Sequence, residues 1–139
     1  MNEAETFDHM LERQRVANEA IYNGDPGPFM ALWSQRDPVT LFGAWGTCKR
    51  GWDELSRTFQ WVGSRFSKAQ DLTFEIEVAE VSGDFAYTVG YERTVVSIDG
   101  GPPEPHDLRV THAYRLEEGQ WKVVHRHGDM VPLDQSPPN

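Results

Sequence analysis

Apolar residues near the start of the chain recur at steps of three and four. Phe7, Met10, Leu11, Val16, Ala17, Ala20 and Ile21 mark one side of a helix over residues 4–22. Thr6 is placed to cap it, and "NGDPGP" (23–28) ends it with turn residues. A short second helix, "PFMALW", starts at Pro28, since proline suits a first helical turn. "DPVTLFGAWG" reads as a strand running into a glycine-rich bend. Trp52, Leu55, Phe59, Val62 and Phe66 then return to helical steps, which predicts a third amphipathic helix over 51–66.

After that the period changes to two. In "LTFEIEV" (72–78), Leu72, Phe74, Ile76 and Val78 alternate with Thr73, Glu75 and Glu77. "FAYTVGYERTVV" (85–96) follows Ser82-Gly83-Asp84, so the two strands form a hairpin, and "GGPPEP" (100–105) is a loop. "THAYRLEEGQWKVVHRHGD" (111–129) supplies two more strands and holds three of the five histidines. Helices first and antiparallel strands after give an α+β fold, with helices packed on one face of a curved sheet.

The turn in that last hairpin decides which side chains share a face. A two-residue turn needs positive φ at Glu118, which suits Asn or Asp better. A three-residue loop needs it only at Gly119. The three-residue loop puts His112 opposite Val124 and Val110 opposite Arg126. One face then carries Val110, His112, Tyr114, Val124, Arg126 and Gly128. The other carries Arg109, Thr111, Ala113, Trp121, Val123, His125 and His127.

At 139 residues the chain is read as one domain over 1–131 with a frayed tail over 132–139. With 38% apolar and 12% aromatic residues it belongs with globular proteins. A net charge of −9 argues against nucleic acid as a partner, because phosphates call for clustered Lys and Arg. The single cysteine, Cys48, excludes an internal disulfide. With no membrane-length apolar run and an acidic start, the expected setting is the cytoplasm, with no membrane partner.

Glu92, His112 and Arg126 are the candidate catalytic residues. Glu92 shares its strand face with Ala86, Thr88, Gly90 and Thr94, all small, which leaves room in front of the sheet. A carboxylate beside an imidazole would raise its pKa and give an acid/base pair near neutrality. Arg126 could hold a carboxylate or an enolate-like oxygen. Tyr114 and Gly128 share that face and are candidate ligand-binding residues. Trp45, Trp52 and Trp61 could line an apolar pocket for an aromatic or terpenoid ligand, with Trp45 and Trp61 the ligand-binding candidates and Trp45 expected at the pocket mouth. The alternative is a buried, mutually satisfied network without chemistry. His125, His127 and Asp129 could in principle ligate zinc, but Arg109 opposite His127 opposes a cation, so no metal and no cofactor is expected.

"RVTHAYRLEEGQWKVVHRHGD" resembles the C-terminal hairpin of the nuclear transport factor 2-like superfamily in its SnoaL-like, ketosteroid isomerase-like branch, through Tyr114, Gly119, Trp121, Val124, His125 and His127. It also looks like the association domain of calcium/calmodulin-dependent kinase II, and "IYNGDPGPFMALW" is similar to the family's first-helix ending. The resemblance implies a cone with a pocket between helices and sheet. It implies a pocket role for His112, where ketosteroid isomerases carry an acidic oxyanion donor and the kinase domain an arginine. Glu92 and Gly128 fall where that domain has further pocket arginines. Leu41 or Phe42 falls where the isomerases carry their general base, and Ala17 falls near their helix tyrosine, so steroid isomerisation of that type is not expected. Two classes of function remain. One is a cofactor-independent acid/base enzyme (isomerase, dehydratase, cyclase or hydrolase) on a small apolar or carboxylate-bearing molecule. The other is a non-catalytic ligand-binding or oligomerisation domain. An outer face holding Tyr87, Val89, Tyr91, Ala113, Trp121, Val123, His125 and His127 predicts a homodimer.

Overall fold

The structure, a computed structural model, describes residues 3–138. Three helices, α1 (Phe7–Tyr22), α2 (Gly27–Ala31) and α3 (Trp52–Arg65), combine with six strands: β1 (Thr40–Phe42), β2 (Cys48–Arg50), β3 (Phe66–Ser82), β4 (Phe85–Ile98), β5 (Glu104–Glu117) and β6 (Gln120–Met130). The strands form one curved, unclosed sheet in the order β2-β1-β6-β5-β4-β3. All pairs are antiparallel except β1 with β6. No hairpin joins those two, so no tight turn forces them antiparallel. The fold is α+β, with the helices on the concave face.

Local chemistry accounts for the element ends. The Thr6 hydroxyl accepts from the His9 N–H and caps α1. α3 has Asp53 and Glu54 in its first turn and Arg65 in its last, matching the helix dipole. The glycine-rich bend after β1 is itself a hairpin, with Thr40 opposite Arg50 across residues 43–47. At Gly90 β4 lies close against β3, and a Cβ there would collide with the Glu75 carbonyl. α1 buries Met10, Ala17 and Ile21 against the sheet together with three polar residues, Gln14, Asn18 and Tyr22.

The β5–β6 turn corrects the sequence expectation. Leu116 pairs with Trp121 and Glu117 with Gln120, which leaves a two-residue turn. Glu118 takes φ 51° and Gly119 φ 78°, the geometry whose twist suits a hairpin. The register then shifts between Ala113 and Tyr114, with Val124 as the extra residue of a bulge. Before the bulge Trp121 and Val123 point inward, buried at 3% and 1% exposure, so neither belongs to the outer face. Beyond it His112 pairs with Arg126 and Val110 with Gly128. The bulge restores the alternation that put His112 and Arg126 on one face.

The domain and tail boundaries expected from sequence include residues 1, 2 and 139, which lie outside the described residues. Residues 132–138 are exposed and form no helix or strand. No described helix is long and apolar enough to cross a membrane.

Candidate functional site

Glu92 is the centre of the concave face, 1% exposed on β4. Arg126 of β6 meets it with two hydrogen bonds, Nη1 to Oε2 at 2.7 Å and Nη2 to Oε1 at 2.9 Å. Two side chains of α1 complete its shell: the Tyr22 hydroxyl donates to Oε1 at 3.0 Å, and Asn18 Nδ2 to Oε2 at 3.4 Å. Burial pushes the Glu92 carboxyl upward, but Arg126 outweighs it and holds the group below its ordinary range. Burial, then the neighbouring carboxylate, push the Tyr22 hydroxyl well above its ordinary range. The floor is therefore an ionised, charge-balanced pair.

His112 joins this pair from behind. Its Nε2 accepts from Arg126 Nη1 at 3.0 Å and from Gln14 Nε2 at 3.3 Å, so its proton sits on Nδ1, which has no partner among the described residues. The Gln14 carbonyl accepts from the Tyr114 hydroxyl at 2.5 Å, and Tyr114 in turn bonds Thr88 at 3.1 Å. One continuous chain thus links Thr88, Tyr114, Gln14, His112, Arg126 and Glu92. Burial, then the Arg126 charge, push the His112 imidazole down to about 3. This reverses the raised pKa expected from Glu92, because burial and then the guanidinium outweigh the carboxylate.

A cavity of about 70 Å³ opens in front of the floor. Its walls are Ile21 and Tyr22 of α1, Phe59 and Val62 of α3, Ala44 and Trp45 of the β1–β2 loop, and Phe66 and Leu108 of the sheet; Asn18, Glu92, His106 and Arg126 give it polar groups. Of the residues named from sequence, Glu92, Arg126 and Trp45 line it. His112 and Tyr114 lie behind it, in the hydrogen-bonded chain. Gly128 is no part of its wall; a Cβ there would meet Arg126 Nη2 at 3.4 Å. Trp61 is 47% exposed and packs edge-on to Trp45 from outside, at 5.6 Å between rings, with the Arg65 guanidinium over both.

His106, Tyr22 and Asn18 are lining residues that apolar periodicity does not single out. His106 sits on β5 in alternation with Leu108, Val110 and His112, and the proline-rich stretch before it hid the start of the strand. Tyr22 follows Gln14 and Asn18 at helical spacing, a polar stripe on the buried side of α1. His125 bonds Thr40 at 2.7 Å and Asp129 bonds Arg109 at 2.6 Å, each away from the cavity. No cluster of three metal-ligating side chains forms among the described residues.

Helices seated in the concave face of a curved, unclosed sheet give the cone fold of nuclear transport factor 2-like proteins. The chain belongs to the SnoaL-like domain family, whose model matches residues 15–133. A search of curated proteins finds no match. Among solved structures the chain is similar to one provisionally described as a calcium/calmodulin-dependent protein kinase type II association domain, from Thiobacillus denitrificans. That likeness has 17% identity and TM-score 0.74, covering 95% of this chain and 100% of the other. It is also similar to a provisional dehydratase of the nuclear transport factor 2-like family from Streptomyces avermitilis, at 22% identity and TM-score 0.71, covering 91% and 99%. A nuclear transport factor 2-like superfamily protein from Salmonella enterica matches at 17% and 0.72, covering 96% and 94%. At these identities the likeness is one of fold.

Proposed function

We propose that the protein binds a small, largely apolar molecule in the cavity beneath the β1–β2 loop. The observation that carries this reading is the cavity itself, where aromatic walls converge on a few buried polar groups, the usual form of a small-molecule site. Binding is favoured over acid/base turnover by the residues expected to catalyse it. His112 is neutral near pH 7, its Nε2 is taken up by Arg126 and Gln14 and it lies behind the cavity, and Glu92 is ionised with both oxygens occupied. A cytoplasmic setting belongs to the same reading, supported by an exposed, unpaired Cys48.

The test is a fragment screen on isotope-labelled protein, followed by NMR at the Trp45 indole N–H. Shifts clustered on Trp45, Tyr22 and His106 are expected, and the His112→Gln variant should keep them. A library that moves none of these signals refutes the reading.

The outer face favours a second, compatible role in self-association. Val78, Phe85, Tyr87 and Val89 project from neighbouring strands there, each more than a third exposed. Apolar surface of this extent marks a contact, and a two-fold homodimer would cover it with itself. Light scattering should give a dimer at micromolar concentration and a monomer for Val89→Lys. A monomeric wild type removes this role.

A further inference from the structure

The polar groups of the cavity differ in what they have left to offer. Glu92 accepts from Arg126, Tyr22 and Asn18, and its charge balances the guanidinium. His106 is 4% exposed and lines the same cavity, yet neither ring nitrogen hydrogen-bonds any described residue. Its ring packs against aromatic neighbours, with centroids at 5.3 Å to Phe66, 5.9 Å to Tyr22 and 6.1 Å to Trp45. Its ring nitrogens are not sealed from solvent but open to the cavity, where they are free to pair with what fills it; the sealed, unpartnered atom of the lining is Asn18 Oδ1, an acceptor only.

We infer that the cavity selects an uncharged ligand, apolar over most of its surface, that presents one hydroxyl or amide group to the His106 imidazole. This rests on the ligand-binding reading above and narrows it. A neutral imidazole offers one donor and one acceptor, which a hydroxyl or an amide can match. Burial holds His106 below its ordinary range, which favours that neutral form. A carboxylate would have to be desolvated beside Glu92, whose arginine is already engaged. A cation would meet Arg126 in the same way. The structure thus argues against the carboxylate-bearing ligand that Arg126 suggested from sequence.

Four probes sharing a methylphenyl body test this: p-cresol, toluene, p-toluate and 4-methylbenzylammonium, titrated at pH 7.5 against the Trp45 indole signal. p-Cresol should bind about three- to tenfold more tightly than toluene, the range of one net hydrogen bond. Each ion should bind at least about tenfold more weakly than p-cresol. His106→Phe should erase the difference between p-cresol and toluene. If that variant retains the difference, or wild type never shows it, His106 is not the recognition group. If p-toluate or the ammonium probe binds as tightly as p-cresol, selection for neutrality is wrong while ligand binding stands. If none of the four moves Trp45, the ligand-binding reading fails with it. The charge comparison needs only the wild-type protein, so a variant that does not fold leaves it intact.

Discussion

His106 and His112 stand on the same face of the same strand, one at each end of the inner wall, at 4% and 1% exposure. Burial does not separate them, but hydrogen bonding does. His112 accepts from Arg126 and Gln14 and completes a chain that runs to Thr88. His106 packs on aromatic edges and opens to the cavity. His112 also keeps an Nδ1–H without a partner, but it is sealed behind the floor, so the mark of a candidate site here is hydrogen-bonding capacity that faces the cavity.

The largest effect should come from breaking the floor that both histidines border. Glu92→Leu leaves Arg126 charged, 11% exposed and without its carboxylate. Losing one partner of a buried ion pair costs about 3–5 kcal/mol, so urea denaturation should show a barely folded protein. Glu92→Leu combined with Arg126→Met removes both charges and should recover most of that loss. A double variant as unstable as the single one would mean that the pair's shape, not its charge balance, supports the wall.

The pH dependence of stability sharpens the contrast. The folded pKa of His112 lies near 3, below the ordinary 6.5, so the unfolded chain takes up a proton that the folded chain refuses. Its contribution is fully present above about 6.5 and is lost as pH falls toward 3. Between pH 7.5 and 5.0 the wild type should lose about 2 kcal/mol more than His112→Gln, at about 1.4 kcal/mol per pH unit. His106 and His125 are lowered in the same direction, and they cancel when the two proteins are compared. Equal losses would mean that His112 takes up its proton without unfolding.

Much of this layout was legible because alternation and helical spacing are strong signals. The three helices, the β3–β4 hairpin and the shared face of Glu92, His112 and Arg126 follow from them. The turn at Glu118-Gly119 was not legible. A glutamate at φ 51° is disfavoured locally, and sheet pairing overrides the preference. The bulge at Val124 left no trace either, since a valine there fits either face. Trp121 and Val123 were therefore assigned to the wrong side, while residues beyond the bulge kept the right one. Gln14, Asn18 and Tyr22 were overlooked because apolar periodicity does not count buried polar residues. The lowered pKa of His112 comes first from complete burial and then from the guanidinium that lies between it and Glu92, and spacing reports neither.

A smaller effect is expected in the chain behind His112. Tyr114→Phe removes the hydroxyl that donates to Gln14 and bonds Thr88. Both partners stay buried, so the loss should be about 1–3 kcal/mol by urea denaturation. Tyr114 does not line the cavity, so p-cresol titrations of this variant should match the wild type once both are folded. Weakened binding in a folded Tyr114→Phe protein would tie the two ends of β5 together.

The smallest effect should come from His106→Phe. No hydrogen bond to a described residue is lost, and a phenyl ring can keep the edge contacts with Tyr22, Trp45 and Phe66. A swap of similar shape at such a position should change stability by less than about 1.5 kcal/mol. The same substitution at His112 strands the N–H groups of Arg126 and Gln14 that now donate to Nε2, and should cost about 1–3 kcal/mol. The two variants are best denatured side by side at pH 7.5, where both wild-type imidazoles are neutral. His112→Phe should be the less stable of the two, and His106→Phe the one with altered p-cresol binding. The reverse order of stability would mean that His106 holds the fold together and that its free nitrogens are not what the cavity presents.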